Sequence, residues 1–220
     1  MKAIKTYISV YPVWYRVVVF IVVPVAVIVT GLELSLPGLS SHDDVLIIVL
    51  TACALIYAEL FGEWFTVGEI CARKGAFGEV VLSSPHGDLF VKRFAYTDVL
   101  RKVIGYPIIF VVQQLVTKLI NPEYGKILDA VVIGLIFALA VIVGIMILRV
   151  TKAVAMRFLS FLAMSGISTV LGMPYVMFKG TGYKIAIASL TVILTVLFSC
   201  LSINMVIRSS KEDYYDGQNR

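Results

Sequence analysis

Polar residues are sparse over long stretches of this chain and crowd into short ones. Six apolar runs stand out, at roughly 13–34, 44–64, 98–120, 127–149, 155–178 and 184–207. A helix rises 1.5 Å per residue, so about 20 apolar residues cross hydrocarbon about 30 Å thick. The runs do not alternate with period two, as strands of a transmembrane barrel do. An open sheet edge is excluded in lipid because its amides would lack partners. The pattern predicts an all-α polytopic membrane protein, with one six-span transmembrane domain over 1–210 and a polar tail over 211–220 that is expected to be poorly ordered.

Details within the runs add to this picture. In KAIKTYISVY, residues 2–11, Ile4, Tyr7, Ile8 and Tyr11 share one helical face and Lys2 and Lys5 lie off it. That suits a short helix in the membrane interface with its rings at headgroup level; the alternative is simply the anchored start of the first span. Pro24 falls mid-span and predicts a bend. LPGLSSHDD, after span one, is too short for an ectodomain. Span three carries Gln113 and Gln114, amides that are costly in a membrane unless they glue helices or line a polar path. Span five holds Ser160, Ser165, Ser168, Thr169 and Gly172, with Ser168 and Gly172 at the small-xxx-small spacing of close helix packing, and Pro174 near its end. Along span six, Ala188, Thr191, Thr195, Ser199 and Ser202 recur every three or four residues, so this stripe faces a neighbouring helix or a pathway.

Composition agrees. The 220 residues are 60% hydrophobic and 15% charged, with mean hydropathy +0.95; soluble domains carry about 25% charged residues. The net charge of +5 is unevenly placed. With the N-terminus inside, 15 of the 19 Lys and Arg fall on inner segments, and Lys118, Lys126, Lys179 and Lys184 are left outside. Retention of basic residues on the cytosolic side sets the orientation. Both termini are therefore expected in the cytosol, the protein in the cell membrane as a multi-pass chain surrounded by lipid, and no nucleic-acid partner is expected. Span one is longer than the apolar region of a signal peptide and has no small-x-small cleavage site near its end, so it is expected to stay attached.

Candidate chemistry is thin. Cys53 and Cys200 fall within spans and Cys71 on the cytosolic side, with no paired metal spacing. The two histidines, His42 and His86, lie on opposite sides of the membrane in this topology. GTGYK at 180–184 lacks the spacing and the final Ser or Thr of a phosphate loop. No catalytic residue, metal site or cofactor is therefore expected in this chain. Glu59 and Glu63, one turn apart at the end of span two, could form a proton or metal site. Close to a basic boundary, pairing with Arg or Lys or contact with water is the favoured reading.

The longest polar excursion runs from about 65 to 97 and includes GEVVLSSPHGDLFVKRF. It is too short for a domain of its own. Ser84 and Pro85 fit a helix N-cap and first turn, and Asp88 or Thr97–Asp98 could start the next helix. A hairpin of VVLSS and LFVKRF around PHGD competes, and periodicity leaves the choice open for 78–94.

The run GAFGEVVLSSPHGDLFVKRF resembles the cytosolic segment of ABC-2 type permeases, the membrane subunits of many ABC exporters. The likeness rests on Phe77 ahead of Pro85, the apolar Val80–Val81–Leu82, the small Ser83–Ser84, and the basic Lys92–Arg93 leading into span three. It departs from that pattern in the long separation of Glu69 from Phe77 and the short one from Pro85 to the basic pair. The resemblance implies a coupling helix near 76–88 that docks a separate cytosolic ATPase, with Phe77, Glu79, Val80, Leu82, Ser84, Pro85, Asp88, Lys92 and Arg93 at the contact. It also implies ATP and Mg held by that partner, a second permease chain, identical or paralogous, and a peptide or amphipathic, lipid-like cargo. In that reading Gln113, Gln114, Ser168, Gly172, Thr191, Thr195, Ser199 and Ser202 line a path or a helix interface. A non-transporting membrane scaffold and the substrate-binding subunit of an energy-coupling-factor importer are the alternatives.

Overall fold

Ile127–Val150 forms the helix at the centre of the bundle, here α4. Its sequence is apolar on every side between Asp129 and Arg149, the mark of a helix enclosed all round. Residues Phe137 to Ile142 are all buried, and Ala138, Ala140 and Val141 are completely so. The computed structural model describes residues 13–34, 55–56, 58–60, 62–63, 86–120, 127–150, 155–177 and 180–218.

Around α4 stand α3 (Gly87–Ile120), α5 (Ala155–Met177) and α6 (Thr181–Gln218), each packed against it. α6 also packs on α3, and touches α5 only slightly. The described chain begins with α1 (Val13–Val17), a π-helical turn (Val18–Val22) and α2 (Val23–Leu34), which lies against α3. Val27 of α2, Leu55 and Ile56, Tyr106 of α3, Phe137, Ala138, Val141 and Ile145 of α4, and Met164 of α5 form one core.

Two glycines let α4 sit this close to its neighbours. A Cβ at Gly134 would stand 2.5 Å from Pro107 Cα and 2.7 Å from Pro107 N, so α3 and α4 touch through backbone there. At Gly144 the Met164 side chain of α5 fills the same space, 2.3 Å from where a Cβ would lie. Close approach of this kind replaces the hydrophobic drive that lipid cannot provide between helices.

Leu89–Leu119, Ile127–Arg149, Phe158–Val176 and Thr181–Arg208 are long and apolar enough to cross a membrane. Among the described residues all regular structure is helical. Large apolar side chains point outward along them, as Leu190, Ile193 and Leu197 do on α6, while Thr191, Thr195 and Ser202 on the same helix point in. An apolar exterior over a partly polar interior is what lipid as solvent selects. The chain is a helical membrane protein.

Spans four and five agree with their helices to within a few residues. Just before Pro24, where the sequence predicts a bend, the helix takes a π-helical turn in which the Val23 N–H donates to the Val18 carbonyl. Since proline lacks an N–H, a local change of register there is physically reasonable.

The structure decides two choices that the sequence leaves open and corrects one expectation. The return strand of a hairpin, LFVKRF, is instead the first part of α3, which is helical from Gly87. Consequently Thr97 and Asp98 lie inside that helix and start nothing. Polar residues 211–218 continue α6 rather than forming a poorly ordered tail. No Pro or Gly falls between Tyr183 and Asp216 to stop it. Hydropathy marks where the apolar stretch ends; the backbone hydrogen-bond ladder runs on past that point. The expected interfacial helix at 2–11 and most of span two lie outside the described residues.

Candidate functional site

The charged residues nearest the bundle core meet at one end of its apolar stretch. On α3, Asp98, Arg101 and Lys102 precede Val103–Thr117, which carries no charge. On α4, Arg149 ends the corresponding apolar run. Helical residues 58–60 and 62–63 bring Glu59 and Glu63 to the same level.

These groups are paired throughout. Arg101 donates from Nη1 and Nη2 to Glu59 Oε1 and Oε2 at 2.8 and 2.7 Å. The Tyr106 hydroxyl donates to Glu59 Oε1. Arg149 donates from Nε to Glu63 Oε1, and from Nη2 to Glu63 Oε2 and Asp98 Oδ2, both at 3.0 Å. Lys102 Nζ donates to Asp98 Oδ2, one turn back on its own helix. Among the described residues three carboxylates, Glu59, Glu63 and Asp98, thus face three cations, Arg101, Lys102 and Arg149, and their charges balance. Its side chains are between 1% and 15% exposed. Burying six charges is tolerable only because each finds an opposite charge within the cluster.

Tyr15 of α1 closes the cluster on one side. It is buried, and its ring occupies the space a Cβ on Gly62 would need, between the two glutamates in sequence. Tyr106 closes another, with its ring edge-on to Phe137 at 4.8 Å. The cluster therefore joins α3, α4 and the helical residues 58–60 and 62–63 beneath the aromatic core.

A smaller polar contact ties the opposite end of the bundle. Asp129 in the first turn of α4 accepts from Tyr175 of α5 at 2.9 Å and from Lys184 of α6 at 2.8 Å. The Lys184 ammonium lies 5.0 Å from the Tyr175 ring centre. Asp129 and Lys184 are each 28% exposed, so water competes with this pair.

Most of the residues expected to dock an ATPase, namely Phe77, Glu79, Val80, Leu82, Ser84, Pro85 and the Asp88 side chain, lie outside the described residues. Lys92 and Arg93 stand exposed on the first turns of α3. Gln113 is buried; Gln114 is half-buried, with an Oε1 that has no hydrogen-bond partner. Thr191, Thr195 and Ser202 are buried and Ser199 half-buried on the face of α6 toward α3 and α4. Ser168 and Gly172 are half-buried on α5; the Ser168 hydroxyl has no partner, and nothing lies within 4 Å of a Cβ placed at Gly172. Among the described residues no group of His, Cys, Asp and Glu could hold a metal ion.

The favoured reading of Glu59 and Glu63 as ion-paired agrees with the structure, and the two glutamates serve different helices. Sequence reasoning does not single out Asp98, Lys102, Tyr106 and Arg149 as a cluster. The acid–base pair Asp98–Lys102, four residues apart at the edge of an apolar run, is the available signal. No family model, curated protein or solved structure matches the chain.

Proposed function

We propose that this chain is the membrane subunit of an ATP-driven exporter of the ABC-2 permease type, with six spans and both ends in the cytosol of the cell that bears it. A separate cytosolic ATPase, holding ATP and Mg, docks on the loop between spans two and three. A second permease chain completes the assembly, and the cargo is a peptide or another amphipathic molecule.

One observation carries the reading. The loop leaves from the end of span two and returns into α3, and the Glu59–Arg101 fork joins the helices on either side of it. Arg149 adds α4 to the same cluster through Glu63 and Asp98. A push on the loop is thereby delivered to three elements together rather than lost in one. The exposed Lys92 and Arg93 on the first turns of α3 offer a basic face to an acidic partner surface.

Gentle detergent purification of the full chain from its native membrane, with mass spectrometry of what accompanies it, tests the proposal. A stoichiometric ATPase with a phosphate loop, lost when Val80 and Leu82 are replaced by Asp, is the expected result. Retention of that ATPase by the V80D/L82D variant places the docking elsewhere. Its absence from wild-type preparations that keep other membrane complexes intact overturns the exporter in favour of a scaffold.

A further inference from the structure

The α3–α6 seam holds polar groups that the bundle itself does not satisfy. Val91 and Ala95 of α3 pack with Ile203 and Val206 of α6. Farther along, Tyr106 and Pro107 of α3 meet α4 near Gly134 and Phe137, and α4 meets α6 near Ile187 and Ala188. The two helices are therefore antiparallel. Val91, Ala95, Asp98 and Lys102 recur every three or four residues and share one face of α3; Thr195, Ser199, Ser202 and Val206 do the same on α6. Stepping inward from the packed pair at equal rise brings Ser199 level with Asp98, and Thr195 level with Lys102.

Both hydroxyls are buried there without a hydrogen-bond partner. Thr195 is only 3% exposed. Its behaviour differs from that of other helical threonines in the chain. Thr30, Thr97, Thr169 and Thr191 each donate to the carbonyl four residues back, at 2.7–2.8 Å. Thr195 forgoes this bond, although Thr191 occupies the position four residues before it. A buried hydroxyl that declines its own backbone is expected to answer to something else.

We infer that the seam is a hydration site, in which ordered water joins the Thr195 and Ser199 hydroxyls to the Asp98–Lys102 pair. Charge excludes the other small occupants. A cation would meet the Lys102 ammonium, and Asp98 already accepts from Lys102 and Arg149. An anion would meet the Asp98 carboxylate, and among the described residues the three cations of the cluster are already matched by three carboxylates. A neutral molecule that both donates and accepts suits two hydroxyls and an ion pair, and water needs only two to four such partners. Polar access to the bundle then runs between α3 and α6. The α3–α4 seam, closed by backbone contact at Gly134, stays dry.

Two measurements on the full chain in lipid vesicles decide the matter. In a background with Cys53, Cys71 and Cys200 replaced by Ala, T195C and S199C are treated with a small neutral methanethiosulfonate. Reaction about tenfold faster than at A138C in the core or L197C on the lipid face is expected, since the thiolate forms only where water reaches. Rates as slow as those two controls overturn the site. Independently, T195V in the otherwise native chain separates a hydrated hydroxyl from a dry one. A hydrated hydroxyl loses its water partner in the valine variant, and the thermal midpoint falls. A dry unpaired one is relieved of a desolvated group, so a midpoint unchanged or raised overturns the inference.

Discussion

Arg101 and Glu59, 42 residues apart in sequence, meet as a two-pronged fork with N–H···O bonds of 2.8 and 2.7 Å. The fork joins the helical turn at 58–60 to α3, so two elements distant in sequence share one buried contact. The side chains are 15% and 6% exposed, which removes most of the water that weakens surface pairs.

Breaking one half of such a pair costs more than removing both. R101L leaves the Glu59 charge without its fork and is expected to destabilise the full chain by about 3–5 kcal/mol. The double variant E59L/R101L loses less than R101L alone. R149L, which deprives Glu63 and Asp98 together, loses at least as much as R101L. Thermal or denaturant unfolding of the detergent-solubilised chain ranks the four proteins.

Glycine-to-alanine changes along the bundle are expected to differ sharply in effect. G134A drives a methyl into the Pro107 backbone, which has no rotamer to yield, and costs about 1–3 kcal/mol. G144A meets the flexible Met164 side chain, so its loss is smaller. G172A meets open space and gains up to about 1 kcal/mol from helix propensity. A series of melting curves checks the order G134A, G144A, G172A from least to most stable.

The Tyr106 hydroxyl and ring do separate jobs. Y106F keeps the edge-on contact with Phe137 and loses only the bond to Glu59, an expected cost of about 1.5–3 kcal/mol for a bond to a charged group. F137A empties a site in the central core and costs about 3–5 kcal/mol. Equal losses in the two variants on unfolding would contradict this division.

Salt is expected to separate the two ends of the bundle. The Asp129–Lys184 pair is partly exposed, is worth less than about 1 kcal/mol, and weakens as ionic strength rises. K184M should thus differ little from wild type at high salt, and modestly at low salt. The Glu59–Arg101 contribution stays nearly constant over the same range, because its surroundings exclude ions. Unfolding midpoints at two ionic strengths measure both.

Much of the bundle was legible because hydrocarbon imposes a length. Ile127–Val150 and Ala155–Met177 fall where the apolar runs placed them. Hydropathy failed at the start of α3 and the end of α6, where the helices outlast their apolar runs. Glu59 and Glu63 were readable as partners for basic residues, since acids beside a basic boundary have few other options. Which basic residues they choose depends on how α3 and α4 stack, and no local spacing encodes that. Thr195 was visible as part of a stripe; that its hydroxyl leaves the backbone while the Thr191 hydroxyl stays on it is a rotamer choice made by packing.

The 34 residues of α3 and 38 of α6 would extend roughly 51 and 57 Å as straight helices, against hydrocarbon about 30 Å thick. Their surplus falls at the same end, because Val91 and Ala95 pack there with Ile203 and Val206. The two helices form a paired mast that runs on beyond the charge cluster at its foot. A tilt of that mast by a few degrees displaces its tip by several times the shift at its foot. Small rearrangements among the buried ion pairs at its foot would therefore be read out as larger displacements at its tip.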